Sequence, residues 1–158
     1  VSISVRASGQ DLAEVSRKLR KAGDKEAARQ FRTELRAAAA PLVPAVRASI
    51  AAIPVKGTSG STGLRKSLQK AVTLRVRTSG KNAQVSVLMS TAKMPSGHKA
   101  LPAMMEGTKR WRHPVFGNED VWVSQDAHPY FFKVVRAGGP AAKAAVNRAV
   151  GNITRKIT

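Results

Sequence analysis

Large rings are few in this chain, and they are very unevenly placed. Seven aromatic residues occur in 158, and six of them (Trp111, Phe116, Trp122, Tyr130, Phe131 and Phe132) fall between Leu101 and Phe132. Rings carry most of the burial energy a small domain can gather, so the rest of the chain is expected to pack around this segment. The segment also holds three prolines, two glycines and the pairs His113-Pro114 and His128-Pro129. An irregular stretch so rich in aromatic and turn residues is more typical of a docking surface than of a plain loop. Elsewhere aliphatic residues and alanine must supply most of the core.

Charge constrains the surface. The formal balance is +19. No acid stands between Glu34 and Glu106, while that interval carries Arg36, Arg47, Lys56, Arg65, Lys66, Lys70, Arg75, Arg77, Lys81, Lys93 and Lys99. Such a surface repels copies of itself unless salt, nucleic acid or an acidic protein screens it. It points to an acidic partner, with Arg65, Lys66, Arg75, Arg77 and Lys81 as the candidates to face that partner or DNA. A basic face that only meets solvent is the plainer alternative. There is no cysteine, which removes disulfides and thiolate metal sites. No apolar run approaches the roughly 20 residues that span a bilayer, and no signal-peptide core opens the chain. A single soluble, intracellular domain with no membrane partner is the expectation.

Taken in order, Val1, Ile3 and Val5 alternate with polar residues as in a short half-buried strand. Leu12, Val15 and Leu19 predict a helix over 10–22, with Ser8 or Asp11 as its cap and Gly23 beyond its end. Asp24 reads as the N-cap of a second helix with Glu26 in its first turn. Phe31 and Leu35 share its apolar face. Pro41 and Pro44 each delete a backbone donor and crowd the preceding turn, which predicts a kink. Leu42, Val43, Val46, Ile50 and Ile53 then carry the stripe on to Pro54, so one long kinked helix is expected.

Lys56 to Gly63 reads as a flexible loop. It lacks the G-x-x-x-x-G-K-S/T pattern of a phosphate cradle, because Gly63 is followed by Leu64, Arg65 and Lys66. Val72, Leu74 and Val76, then Val85 and Val87, predict two antiparallel strands joined by a hairpin loop at Thr78 to Asn82. Arg75 and Arg77 occupy the face opposite the aliphatic one, making this a basic hairpin. Ala100 to Met105 reads as a strand or strand approach, and Val121 to Val123 as another. The turn between them is expected at His113-Pro114 and Phe116-Gly117-Asn118. Asp126 and Pro129 predict a short helix that Gly138-Gly139 breaks. Pro140 would open a last helix striped by Val146, Val150, Ile153 and Ile157. The predicted class is α+β: N-terminal helices, a small antiparallel sheet and a C-terminal helix.

Signals for chemistry are weak. The three histidines and Glu106 show no ligand spacing such as H-x-x-H. There is no nucleophile elbow and no pair of carboxylates. No catalytic, cofactor-binding or metal-binding residue is assigned, and no cofactor is expected. Lys109-Arg110-Trp111-Arg112-His113 could stack on bases, yet one isolated ring gives no platform for several of them. The other reading seats Trp111 in the core or in a seam between subunits. Trp111, Phe116, Trp122, Tyr130 and Phe131 are the interface candidates.

Three short steps give the order of features a familiar look. Gly63, Leu64 and Ser67 precede the basic hairpin. Glu106, Gly107 and Thr108 follow it. His128, Pro129, Tyr130 and Phe131 lead into the C-terminal helix. In this order the chain resembles the neck and tail-completion proteins of long-tailed double-stranded-DNA phages, with Trp111 to Gln125 as an insertion that could form an extra hairpin. The resemblance implies one domain over 1–158 with a flexible loop at 56–63 and an aromatic segment at 101–132. It also implies a non-enzymatic virion protein, assembled in the host cytoplasm into a ring of six copies at the head–tail junction. Head-connector and tail-tube proteins would be its neighbours, with duplex DNA passing through the lumen. A free nucleic-acid-binding protein acting through phosphate contacts is the alternative that the charge supports.

Overall fold

The computed structural model describes residues 3–7, 10–54, 63–79, 83–115 and 118–157. The chain begins with strand β1 (Ile3–Ala7) and helix α1 (Gln10–Ala22). Gly23 follows at φ 68°, the left-handed conformation in which a helix ends most cheaply on glycine. Helix α2 (Lys25–Ala39) starts where Asp24 was expected to cap it: the Asp24 carboxylate accepts the Ala27 N–H at 2.9 Å. Helix α3 (Leu42–Ala51) continues it after a two-residue break.

The kink has the cause the sequence offered. Ala40 and Pro41 keep right-handed helical dihedrals, so the chain does not turn away. Pro41 and Pro44 nonetheless have no N–H to give, and the Val43 N–H bonds back to the Ala40 carbonyl at 3.1 Å in a tightened turn. The bend also divides the interior. Phe31, Leu35 and Ala39 of α2 pack in one apolar cluster with Leu12, Val15 and Leu19 of α1. Leu42, Val46 and Ile50 of α3 pack in another.

Helix α4 (Leu64–Ala71) follows, then strands β2 (Val72–Arg77) and β3 (Gln84–Met89). β3 is the central strand of a three-stranded antiparallel sheet in the order β1-β3-β2. Val85 joins the first cluster, while Val72, Val87 and Met89 join the second. Helix α5 (Leu101–Glu106), the hairpin of β4 (Trp111–Val115) and β5 (Asn118–Gln125), and helix α6 (Phe132–Ile157) complete the chain. α6 spans both clusters, with Val135 in one and Val146, Ala149, Val150 and Ile153 in the other. Among the described residues no helix is long and apolar enough to cross a membrane.

Several expectations change. α4 is an element to which the sequence reading assigned no structure, although Leu64, Leu68 and Ala71 recur at helical spacing. Leu68 and Ala71 are buried, and Gly63 at φ 73° leads into the helix. Ala100 to Met105 is helical rather than extended: Pro102 sits in the first turn, where its missing donor costs nothing, and it is buried with Met105 one turn on. His113 and Pro114 lie inside β4 rather than at a turn.

The largest correction concerns Gly138, Gly139 and Pro140, which lie inside one continuous 26-residue helix. The Arg136 carbonyl that loses its partner at Pro140 is on the exposed side, where water can take the vacant bond. Gly138 gives Leu42 room to pack closely: a Cβ there would stand 2.6 Å from Leu42 Cδ2, so the leucine side chain would have to shift. The helix expected to start at Asp126 and Pro129 starts instead at Phe132, and residues 126–130 are not helical. Asp126 instead pairs with Arg110 at 2.7 Å. The expected 56–63 loop, apart from Gly63, lies outside the described residues, as do Phe116, Lys81 and the Ser8 cap.

Candidate subunit interface

The aromatic segment splits into a part the fold keeps and a part it leaves out. Tyr130 and Phe131, both 0% exposed, fill the second core cluster beside Met105 and Val135. Both were expected at a subunit interface. That expectation is corrected: their rings are consumed by this chain's own interior and offer no surface.

One carboxylate fixes them there. Glu106 ends α5, and its side chain reaches the start of α6. Oε2 accepts the N–H groups of Tyr130 and Phe131 at 2.9 and 2.8 Å, and Oε1 accepts that of Phe132 at 2.8 Å. These are donors that a helix start leaves without partners, and the helix dipole favours a negative charge beside them. The Tyr130 hydroxyl donates to the Pro102 carbonyl at 3.3 Å, and the His128 N–H donates to the Met105 carbonyl at 2.9 Å. Burial, with a smaller contribution from the Glu106 charge, raises the Tyr130 phenol well above its ordinary value. Two of the three sequence steps, at Glu106 and at His128 to Phe131, therefore meet in a single tertiary cap.

The hairpin is the part left out. β4 and β5 pair in register from Trp111↔Gln125 to Pro114↔Trp122, with an irregularity before Val115↔Asn118. Trp111 anchors its base against the second cluster. The anchoring is incomplete, since Trp111 Nε1 is buried with no hydrogen-bond acceptor among the described residues. Beyond the base, β5 is exposed along nearly its whole length, with Val121 and Trp122 at 49% and Val123 at 39%. The Arg112 guanidinium lies 6.0 Å from the centroid of the Trp122 ring, a cation–π contact. Trp122 Nε1 donates to the Glu119 carbonyl at 2.6 Å, fixing the ring on the outside.

A two-stranded hairpin standing alone is marginal in water. Covering the open half of Trp122, on the order of 120 Å², would contribute roughly 3 kcal/mol. Trp and Arg on an ordered strand are the residues on which interfaces most depend.

The basic candidates also separate. Arg65 is half-buried and donates to the Ile53 carbonyl, latching α4 to the end of α3. One of its guanidinium nitrogens is thus engaged within the chain. Arg47, which drew no role from the sequence, bridges the same two helices by donating to the carbonyls of Gln69 and Val72 at 3.0 and 3.2 Å. Lys66, Arg75 and Arg77 are exposed. In the sheet register Arg6, Ser86 and Arg75 form one cross-strand row, and Arg77 stands beside Gln84.

A second surface feature is a groove of about 590 Å³ between α6 and the bent α2–α3 pair. Ala37, Ala38, Ala45, Ala141, Ala142 and Ala145 line it, with Glu34 on one side and Arg148 on the other. Side chains this small let another helix or subunit approach closely. Among the described residues no cluster of acidic and histidine side chains is placed to hold a metal ion. Compared with protein-family models, curated proteins and solved structures, the chain matches none.

Proposed function

We propose that this is a structural virion protein that joins copies of itself into a ring at the phage head-to-tail junction, between connector and tail tube and around the DNA channel. The exposed Trp122 hairpin is the observation that carries the reading. A chain with so few large rings holds one of them, with two valines, on an outlying two-stranded arm, and an arm of that kind gains its stability from a neighbour. The motif order supports the phage assignment. The role of Glu106 supports a structural one, because both of its oxygens are engaged by backbone N–H groups.

Charge favours one competing reading, a free nucleic-acid-binding protein using Lys66, Arg75 and Arg77. The two readings respond oppositely to salt. Phosphate binding weakens steeply as salt rises, because condensed counterions are no longer released to advantage. Self-association of a chain at +19 strengthens as its repulsion is screened. Negative-stain imaging across a salt series should show rings or tail-bound copies that survive high salt. A chain that stays monomeric, joins no tail and binds duplex with a steep salt slope would overturn the ring in favour of the competitor.

A further inference from the structure

We infer that the β4–β5 hairpin of one copy seats in the alanine-lined groove between α6 and α2–α3 of the next, with Trp122 entering the groove. This rests on the ring reading and supplies its contact. Hairpin and groove are different surfaces of the same chain. One projects Trp122, with Val121 and Val123 exposed on the other face of the strand, and the other is a concave, alanine-lined channel of about 590 Å³ with space for an indole.

Charge complements this pairing. Glu119 and Asp120 stand at the exposed start of β5, and Arg112 stands beside Trp122. The groove offers Arg148 on the α6 side and Glu34 on the α2 side. Hairpin against groove can therefore set acid against base at both edges. Hairpin against hairpin would leave the groove open, and groove against groove would leave the rings wet. A contact between unlike surfaces generates a ring or a filament rather than a closed pair.

The chain has no cysteine, so introduced thiols report cleanly. Ser124 on β5 and Ala141 on α6 are both exposed, and neither belongs to the buried core. A Ser124→Cys/Ala141→Cys double variant treated with a short bismaleimide should give a ladder of dimers, trimers and higher species, while each single variant should give none. A dimer from Ser124→Cys alone would overturn the inference in favour of a symmetric hairpin contact. As a second arm, Ala141→Phe fills the groove at an exposed position and Arg148→Glu reverses its charge. Both should abolish oligomers while leaving thermal unfolding within a few degrees of wild type. Oligomers that persist in both variants sink the groove and leave the ring standing. A wild-type chain that never oligomerises, free or on tails, sinks both.

Discussion

Replacing Glu106 by alanine tests how the aromatic segment is held. The substitution removes three hydrogen bonds of 2.8–2.9 Å from the start of α6. Bonds to a charged group contribute about 1.5–3 kcal/mol each, but a simple sum overstates the loss. The Phe132 N–H is exposed, so water replaces that bond, while the two to Oε2 are partly buried. Loss of an N-cap side chain costs about 0.5–2 kcal/mol, and a favourable charge at a partly buried helix end contributes up to about 2. The expected cost is about 3 kcal/mol. For a chain of this size that lowers the melting temperature by roughly 6–12 °C. Glu106→Gln keeps one acceptor oxygen but turns an amide N–H toward backbone donors, so it should fall between alanine and wild type. Urea unfolding with an unchanged slope would report the difference directly. A loss below about 1 kcal/mol for Glu106→Ala would refute the view that this carboxylate organises the start of α6.

Two further perturbations probe the same core. Burial raises the Tyr130 phenol above its ordinary 10.0, so the neutral form is favoured in the fold. The associated stability is complete below the unfolded value and is lost as pH climbs from there through the folded one. The stability gap between wild type and Tyr130→Phe should therefore narrow above about pH 10, and ultraviolet titration of this single tyrosine should show no ionisation near its ordinary value until the chain unfolds. Along α6, Gly139→Ala meets nothing within 4 Å, whereas at Gly138 a Cβ would stand 2.6 Å from Leu42 Cδ2. Helix propensity alone gives each about 0.5–1 kcal/mol of stabilisation. Gly139→Ala should show it and Gly138→Ala should not; equal melting temperatures would contradict the close approach.

Much of the helical half was legible because its signals are local. The span of α1, the Asp24 cap and the Pro41 kink each follow from a few neighbouring residues. The errors came where tertiary contact overrode a local rule. Gly138-Gly139-Pro140 reads as a helix break, yet Val135, Val146 and Ile153 lie on one face across it, and burying that face holds the helix continuous. That long-period stripe was in the sequence. The packing of Leu42 against Gly138 was not. Tyr130 and Phe131 were legible as important but not as interior, because their burial depends on Glu106, more than twenty residues away. Trp122 and Trp111 look equivalent in the sequence. Only the strand register sets one at the anchored base and the other on the open arm.

The central claim is that the outlying arm holds copies together. Light scattering through a rising salt series should give masses above the 16.8 kDa monomer that grow as repulsion is screened, and Trp122→Ala should return the monomer without lowering its melting temperature. Identical masses for wild type and Trp122→Ala at every salt concentration would contradict it.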